Sequence, residues 1–311
     1  MTAVRRGAVL VAVALLAVLA VGAGCGGRQA ASSGSLEVVA TTGFLRDIAQ
    51  QVAGERFTVR QLVPDGADPH AFEPAPSDLR AVAGADLLVV NGGGLEGSLL
   101  EMLADAGSEA TVVAASAGIP SRTPQPGEPQ LEEGQSDPHY WLDPTLVERY
   151  VATIRDAYTS ADPSGGESYE AAAAAYVARL EKLDAWIRVR VASVPAEQRI
   201  IVTDHSSLGY FADRYGVGIV GTVIPSVTSG DTPSARQLAE LTAAIRRSGV
   251  RAIVVDSGED PRLAQQVAAE TGITVIDDLL DHSLTPKSGP APTYIDMLKH
   301  DTRRLVEAMT R

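Results

Sequence analysis

Three of the five histidines stand in sequence contexts that suit a metal ligand. His70 lies in Asp68-Pro-His-Ala-Phe-Glu-Pro, and His139 lies in Asp137-Pro-His-Tyr-Trp-Leu-Asp-Pro. The proline before each histidine restricts the backbone, and a neighbouring carboxylate can accept the second ring N–H of an imidazole that binds a metal through its other nitrogen. Neutral imidazole is a preferred ligand of zinc and of several other transition metals. The two echoing segments therefore predict a shared metal site.

His205 is the third candidate metal ligand, and it directly follows a predicted strand. The segment Arg199–Thr203 reads RIIVT, and Asp204 and His205 come directly after it. Ligand sites in open α/β sheets form at the carboxyl ends of parallel strands. We therefore expect His205 to face the same site as His70 and His139, with Trp141 packed beside His139.

The rest of the chain must supply the frame that positions these loops. Apolar runs typical of buried parallel strands alternate with helical segments both before and after a Pro- and Gly-rich stretch. Ser168–Val194 reads as one unbroken helix about 40 Å long. The pattern predicts an α/β fold of two lobes, each a mostly parallel sheet flanked by helices, bridged by this one long rigid helix. The predicted strands are Leu36–Thr41, Phe57–Leu62, Ala85–Asn91, Ala110–Ala114, Arg199–Thr203, Val217–Thr222, Ala252–Asp256 and Thr274–Asp277.

The N-terminus has the features of a secretory signal. Arg5 and Arg6 precede the uncharged apolar run Ala8–Val21, which is too short for a membrane span, and small residues then lead to Cys25, the only cysteine. This arrangement resembles a bacterial lipobox, which implies cleavage before Cys25 and lipidation of its sulfur. The alternative is ordinary signal cleavage that leaves a spare thiol. Residues 26–35 are rich in Gly, Ser and Ala and are expected to form a flexible tether.

The charge of the chain narrows the choice of partners. The formal net charge is −13, and without residues 1–24 the balance is 24 basic against 39 acidic residues. Such a chain repels nucleic-acid phosphates and suits a cationic ligand. The stretch Ile119–Asp137 is rich in Pro, Gly and acids, contains no histidine, and is expected to be a mobile surface loop that offers a weak electrostatic funnel at most.

The chain as a whole resembles the metal-binding solute-binding proteins of ABC transporters, which capture zinc or manganese. The segments that carry the resemblance are DPHAFEP, DPHYWLDP, the long Ala-rich helix, VTDHSSLGYFADRYGV and PSARQLAELTAAIRRSGVRAIVVD, and it covers nearly all of residues 36–311. The resemblance implies two α/β lobes bridged by a rigid helix, a metal held between the lobes, and delivery of that metal to an ABC-type metal permease. It also implies an extracytoplasmic lipoprotein that is anchored to the cell membrane, monomeric, and not an enzyme.

Carried over residue by residue, the resemblance places metal ligands at His70, His139 and His205. A fourth, carboxylate ligand falls on Asp277, with Asp278, Asp281 and His282 left open as alternatives. Manganese-specific members often carry Glu at the third position, so His205 favours Zn²⁺ as the transported ligand, with Mn²⁺ next.

The chain divides into five predicted parts. Residues 1–24 are assigned to a signal peptide, 25–35 to a lipidated tether, 36–165 to the N-terminal lobe, 166–195 to the linking helix and 196–311 to the C-terminal lobe.

Two other functions fit part of the sequence, those of a zinc enzyme and of a surface adhesin. A zinc-dependent hydrolase or lyase also uses three histidines, but it needs an open position for water, which a fourth protein ligand removes. A surface adhesin would need exposed apolar or repeat modules, and the sequence has none.

Overall fold

The computed structural model describes residues 36–105, 107–228 and 231–311, and residues 36–311 form one compact unit. The predicted signal peptide, Cys25 and the tether lie outside the described residues. Among the described helices, none is long and apolar enough to cross a membrane.

The first sheet has four parallel strands in the order β2-β1-β3-β4. One of its two central strands, β3, reads LLVV and is buried along its whole length, as a strand covered on both faces must be. The four strands are β1 (Val38–Ala40), β2 (Val59–Gln61), β3 (Leu87–Val90) and β4 (Thr111–Ala114).

The second sheet repeats this arrangement in the order β6-β5-β7-β8, again with every pair parallel. Seven of the eight strands lie within the predicted segments. The last strand continues two residues beyond its prediction, and this extension changes which residues reach the edge of the sheet. The strands are β5 (Ile200–Thr203), β6 (Gly218–Thr222), β7 (Ala252–Asp256) and β8 (Thr274–Leu279).

Nine α-helices in the described residues cover the two sheets. Several begin at polar caps that the sequence supplies; Ser234, for example, forms a reciprocal capping box with Gln237. The helices are α1 (Gly43–Ala53), α2 (Pro76–Ala83), α3 (Gly97–Asp105), α4 (Pro144–Ala161), α5 (Gly166–Ala192), α6 (Gly209–Tyr215), α7 (Ala235–Ser248), α8 (Arg262–Thr271) and α9 (Tyr294–Thr310).

The linking helix α5 joins the two sheets mechanically as well as in sequence. It contains 27 residues, about 40 Å at 1.5 Å per residue. Its buried side chains recur at spacings of three and four residues, from Tyr169 to Val191, and pack against α1, α4 and α9. One apolar core runs continuously from β1 through α5 to α9. The predicted two-lobe α/β fold with a bridging helix is confirmed.

The Pro- and Gly-rich segment 119–137 lies largely at the surface, as predicted, but two of its acids are buried. It contains no regular secondary structure, yet Glu128 is 7% exposed and Asp137 is 1% exposed. Both acids form ion pairs with Arg122 of the same segment. The segment is therefore anchored by buried charge, which the acid-rich composition alone does not indicate.

Candidate metal centre

Four histidine side chains meet between the two lobes: His70, His139, His205 and His282. One ring nitrogen of each lies within 4.8 Å of one ring nitrogen of every other. The six distances between their ring centroids run only from 5.2 to 5.8 Å. A tetrahedral ion bound by four imidazole nitrogens at about 2.1 Å would hold the ring centroids about 5.3 Å apart. The rings are thus arranged close to the geometry of a tetrahedral metal site.

Each lobe contributes two of these rings. His70 lies in the loop after β2, and His139 immediately precedes the short 3₁₀ helix Tyr140–Leu142. His205 follows β5 by two residues, and His282 follows β8 by three. In a parallel sheet such loops gather at one edge, so two sheets facing each other bring four loops together.

The Nε2 atoms of all four imidazoles have no hydrogen-bond partner among the described residues. The Nδ1 atom of His205 also lacks one, although it lies 3.2 Å from Asp204 Oδ1. Buried polar atoms are nearly always hydrogen-bonded in folded proteins, because desolvation without a partner costs free energy. A bound cation would satisfy all four rings at once, and the fit is good for an ion that prefers nitrogen ligands.

Carboxylates contact the Nδ1 atoms of His139 and His282, on the side of each ring away from Nε2. Asp137 Oδ1 lies 2.9 Å from His139 Nδ1 and also accepts the His139 backbone N–H at 3.1 Å. Asp281 Oδ1 lies 3.0 Å from His282 Nδ1. A carboxylate on one nitrogen sets the imidazole tautomer and directs the lone pair of the other nitrogen towards the metal.

His282 lies in the most strongly acidic part of the site. Asp281 is buried, accepts a hydrogen bond of 2.6 Å from the Ser207 hydroxyl, and offers its backbone carbonyl to the Trp141 indole N–H at 2.5 Å. Asp256 is also buried, with one oxygen 3.8 Å from His282 Nδ1. His282 thus lies beside Asp256 at the end of β7, and the adjacent Asp281 links it to the loop after β5 through Ser207 and to the N-terminal lobe through Trp141.

Trp141 packs beside His139, as the sequence predicted. The indole centroid lies 5.2 Å from the His139 ring and 5.5 Å from the His282 ring, and Phe44 stacks on the indole at 4.4 Å. The side chain is fully buried. It closes one wall of the site with apolar surface and excludes water from it.

The environment splits the four histidines into two pairs by pKa. Burial lowers the pKa of His70 and His139, and the neighbouring imidazoles lower it further. Burial also opposes the charged form of His205 and His282, but the Asp204 carboxylate raises the pKa of His205 and the Asp281 carboxylate raises that of His282. A metal ion binds neutral imidazole, so the raised pKa of His205 and His282 means that protons compete with the metal at this second pair.

Of the four ligands predicted from sequence, the structure brings together His70, His139 and His205 but not Asp277. Asp277 is exposed and lies within β8, because the strand continues to Leu279. Asp278 forms an ion pair of 2.7 Å with Arg304. The predicted strand end was two residues too early, and the loop that reaches the site begins after Leu279.

His282 was an open alternative that the sequence did not favour. The signal that could have found it is the pair Asp281-His282, which repeats the pair Asp204-His205 after the other site-forming strand. The backbone N–H of His205 donates to Asp204 Oδ1 at 2.8 Å, and the same oxygen lies 3.2 Å from His205 Nδ1 without hydrogen-bond geometry. Each C-terminal histidine thus follows an aspartate that lies close to its own imidazole.

The chain is similar to known metal-binding proteins. The family model ZnuA, described as zinc-uptake complex component A, periplasmic, matches residues 38–308. Manganese-binding lipoprotein MntA of Halalkalibacterium halodurans is 32% identical over 300 residues, which cover 96% of this chain and 97% of the relative. Iron-binding protein YfeA of Yersinia pestis is 31% identical over 262 residues, 84% of this chain and 82% of the relative.

Solved structures show the same architecture. The periplasmic zinc-binding protein TroA from Treponema pallidum aligns with a TM-score of 0.81 at 27% identity, covering 89% of this chain and 100% of TroA. Among the sequence relatives, Streptococcus anginosus PsaA is named a manganese ABC transporter substrate-binding lipoprotein and is 29% identical over 306 residues, 96% of this chain and 97% of the relative. The chain therefore belongs to the ZnuA family, the extracytoplasmic metal-binding components of ABC transporters, which are not enzymes.

Proposed function

We propose that this chain captures Zn²⁺ between its lobes through His70, His139, His205 and His282 and delivers it to a metal permease. The observation that carries the proposal is the near-tetrahedral arrangement of four imidazoles whose Nε2 atoms have no hydrogen-bond partner within residues 36–105, 107–228 and 231–311. Four protein ligands leave no position for a reactive water, which suits capture rather than catalysis.

The choice of zinc over manganese rests on the donor atoms. Relatives of this chain are named for manganese, iron and zinc, so kinship does not select the ion. Manganese prefers oxygen ligands and six-fold coordination, whereas four imidazole nitrogens in a tetrahedron match zinc. The carboxylates nearest the rings, Asp137 and Asp281, contact Nδ1 atoms of His139 and His282 and orient them.

The N-terminal segment would anchor the protein to the membrane. The lipobox-like sequence ending at Cys25 supports cleavage before this residue and lipidation of its sulfur, and residues 26–35 would then tether a monomeric binding unit to the membrane. Because family members are components of ABC transporters, the partner that receives the metal is an ABC-type permease. The acidic balance of the chain disfavours nucleic acid as a partner.

Metal competition tests the choice of ion. The purified chain, stripped by a chelator and dialysed against equal concentrations of Zn²⁺ and Mn²⁺, should retain about one equivalent of zinc and almost no manganese. The ratio is measured by elemental analysis of the protein peak after gel filtration. Retention of manganese in excess of zinc would contradict the assignment of a four-imidazole site, and retention of neither metal would contradict metal capture itself.

A further inference from the structure

A buried arginine organises the segment between the first two histidine loops. The Arg122 side chain is only 5% exposed. Its guanidinium donates to both oxygens of Glu128 at 2.7 and 2.8 Å and to both oxygens of Asp213 at 2.7 and 3.2 Å. It also donates to Asp137 Oδ2 at 3.4 Å. One cation therefore holds three carboxylates at once, an arrangement that needs the planar, multi-donor fork of arginine.

These contacts join the two lobes. Arg122, Glu128 and Asp137 belong to the segment that leaves the first sheet, whereas Asp213 lies in α6 beside the second sheet. The Tyr210 hydroxyl, also in α6, accepts the Arg122 backbone N–H at 3.1 Å and donates to the Asp137 carbonyl at 3.2 Å. Segment 119–137 is thus fastened to the C-terminal lobe around its one buried arginine.

The backbone of this segment also approaches the second sheet closely. Gly127 has φ +103°, and a Cβ atom built on it would lie 2.3 Å from the Ile219 carbonyl oxygen in β6. Glu128 accepts a hydrogen bond of 3.4 Å from the hydroxyl of Ser206, the residue that follows His205. The contact surface requires glycine at this point, because any side chain would push the segment away from β6.

The same network ends on a histidine of the metal centre. Asp137 uses Oδ2 for Arg122 and Oδ1 for both the backbone N–H and the Nδ1 atom of His139. The carboxylate is 1% exposed, so water does not compete for its position. Arg122 is thereby two hydrogen bonds away from the imidazole, and the chain of contacts runs from α6 of the C-terminal lobe to a ligand of the N-terminal lobe.

We infer that Arg122 is a positioning residue for metal capture: it fixes the Asp137 carboxylate that orients His139 and fastens the N-terminal lobe's ligand loop to α6. The inference rests on the proposed metal-binding function. Segment 119–137 would then act by orienting the ligand His139 and not by binding the ion itself, so it would need no histidine of its own. Residues that hold a metal ligand from behind commonly contribute a factor of 10 to 100 in metal affinity.

The test compares Zn²⁺ affinity in wild type, R122Q, D137N and the double variant, measured by competition with a chromophoric chelator. R122Q is expected to bind zinc about 10- to 100-fold more weakly. If Arg122 acts through Asp137, adding R122Q to D137N weakens binding much less than it does in wild type, because the path is already broken. In ¹⁵N-histidine NMR spectra of the apoprotein, the R122Q substitution should shift the His139 Nδ1 resonance.

Arg214 offers a matched control, because it is the next residue after Asp213 and makes a similar two-bond contact with Asp184 of the linking helix at 3.0 and 3.1 Å. R214Q should bind zinc within about twofold of wild type. If R122Q does not fold, R122K carries the same measurement, since lysine cannot span three carboxylates.

Three results would overturn the inference: affinity of the Arg122 variant within twofold of wild type, fold losses that multiply in the double variant, or an equal loss in R214Q. Failure of wild type to bind zinc would instead refute the proposed function, so the two failures are distinguishable.

Discussion

Replacement of His282 separates the ligand set seen in the structure from the set suggested by sequence. The substitution H282A removes one of four imidazoles, whereas D277N alters an exposed carboxylate within β8 that is outside the cluster. If zinc binding by a four-ligand protein site contributes about 10–16 kcal/mol, an equal share for one ligand is roughly 2.5 to 4 kcal/mol. That loss corresponds to a decrease in affinity of about 10²- to 10³-fold.

A third variant, D281N, tests how much the carboxylate beside His282 contributes to zinc affinity. Asp281 contacts the far nitrogen of His282, so D281N should weaken zinc binding by about 10- to 100-fold, less than H282A. D277N should bind within about twofold of wild type, because the exposed side chain makes no contact with the site. The expected order of affinity loss is therefore H282A, then D281N, then D277N.

Competition titration of Zn²⁺ against a chelator of known affinity measures the whole series, and circular dichroism confirms that each variant is folded. H282Q serves as a second variant in case alanine, by removing the imidazole beside the buried Asp256 and Asp281, unfolds the chain. A loss in D277N as large as that in H282A would refute the assignment of the fourth ligand. A larger loss in D281N than in H282A would show that the carboxylate, and not the imidazole, contacts the metal.

Two further predictions concern stability. Leu180 is fully buried on the linking helix, so L180A should lower the free energy of unfolding, measured by urea titration, by about 2–5 kcal/mol. Val189 of the same helix is 71% exposed, so V189A should change it by less than about 0.5 kcal/mol. Equal effects of the two substitutions would show that the face of the helix that carries Leu180 does not stabilise the core. Glu96 is buried and accepts hydrogen bonds from Thr41, Asn91 and Gly92, and burial raises its pKa above the ordinary 4.5. Its protonated form is favoured more by the folded than by the unfolded chain, so this contribution to stability is present below pH 4.5 and is lost as pH rises through the raised pKa. The stability of E96Q relative to wild type should therefore increase from about pH 4 to pH 7, and a decrease over that range would contradict the direction of the pKa shift.

The fold could be predicted from sequence because its signals are local. A strand such as Leu87–Val90 is a continuous apolar run, and α5 is a long stretch of strong helix formers that ends at a proline. The two Asp-Pro-His segments and the Asp-His pair after β5 were visible for the same reason, since each places a carboxylate within two residues of an imidazole.

The fourth ring and the arginine network depend on the tertiary structure. Whether Asp277 or His282 reaches the site depends on where β8 ends, and its pairing with β7 continues to Leu279 through a register shift that no local pattern indicates. Arg122 and Asp213 are 91 residues apart, and only the packing of segment 119–137 on α6 makes them an ion pair. The sequence by itself determined which side chains could bind a metal. The meeting of the two lobes decided which four of them face one point, because burial there leaves their Nε2 atoms without a hydrogen-bond partner in the part of the chain that the structure describes.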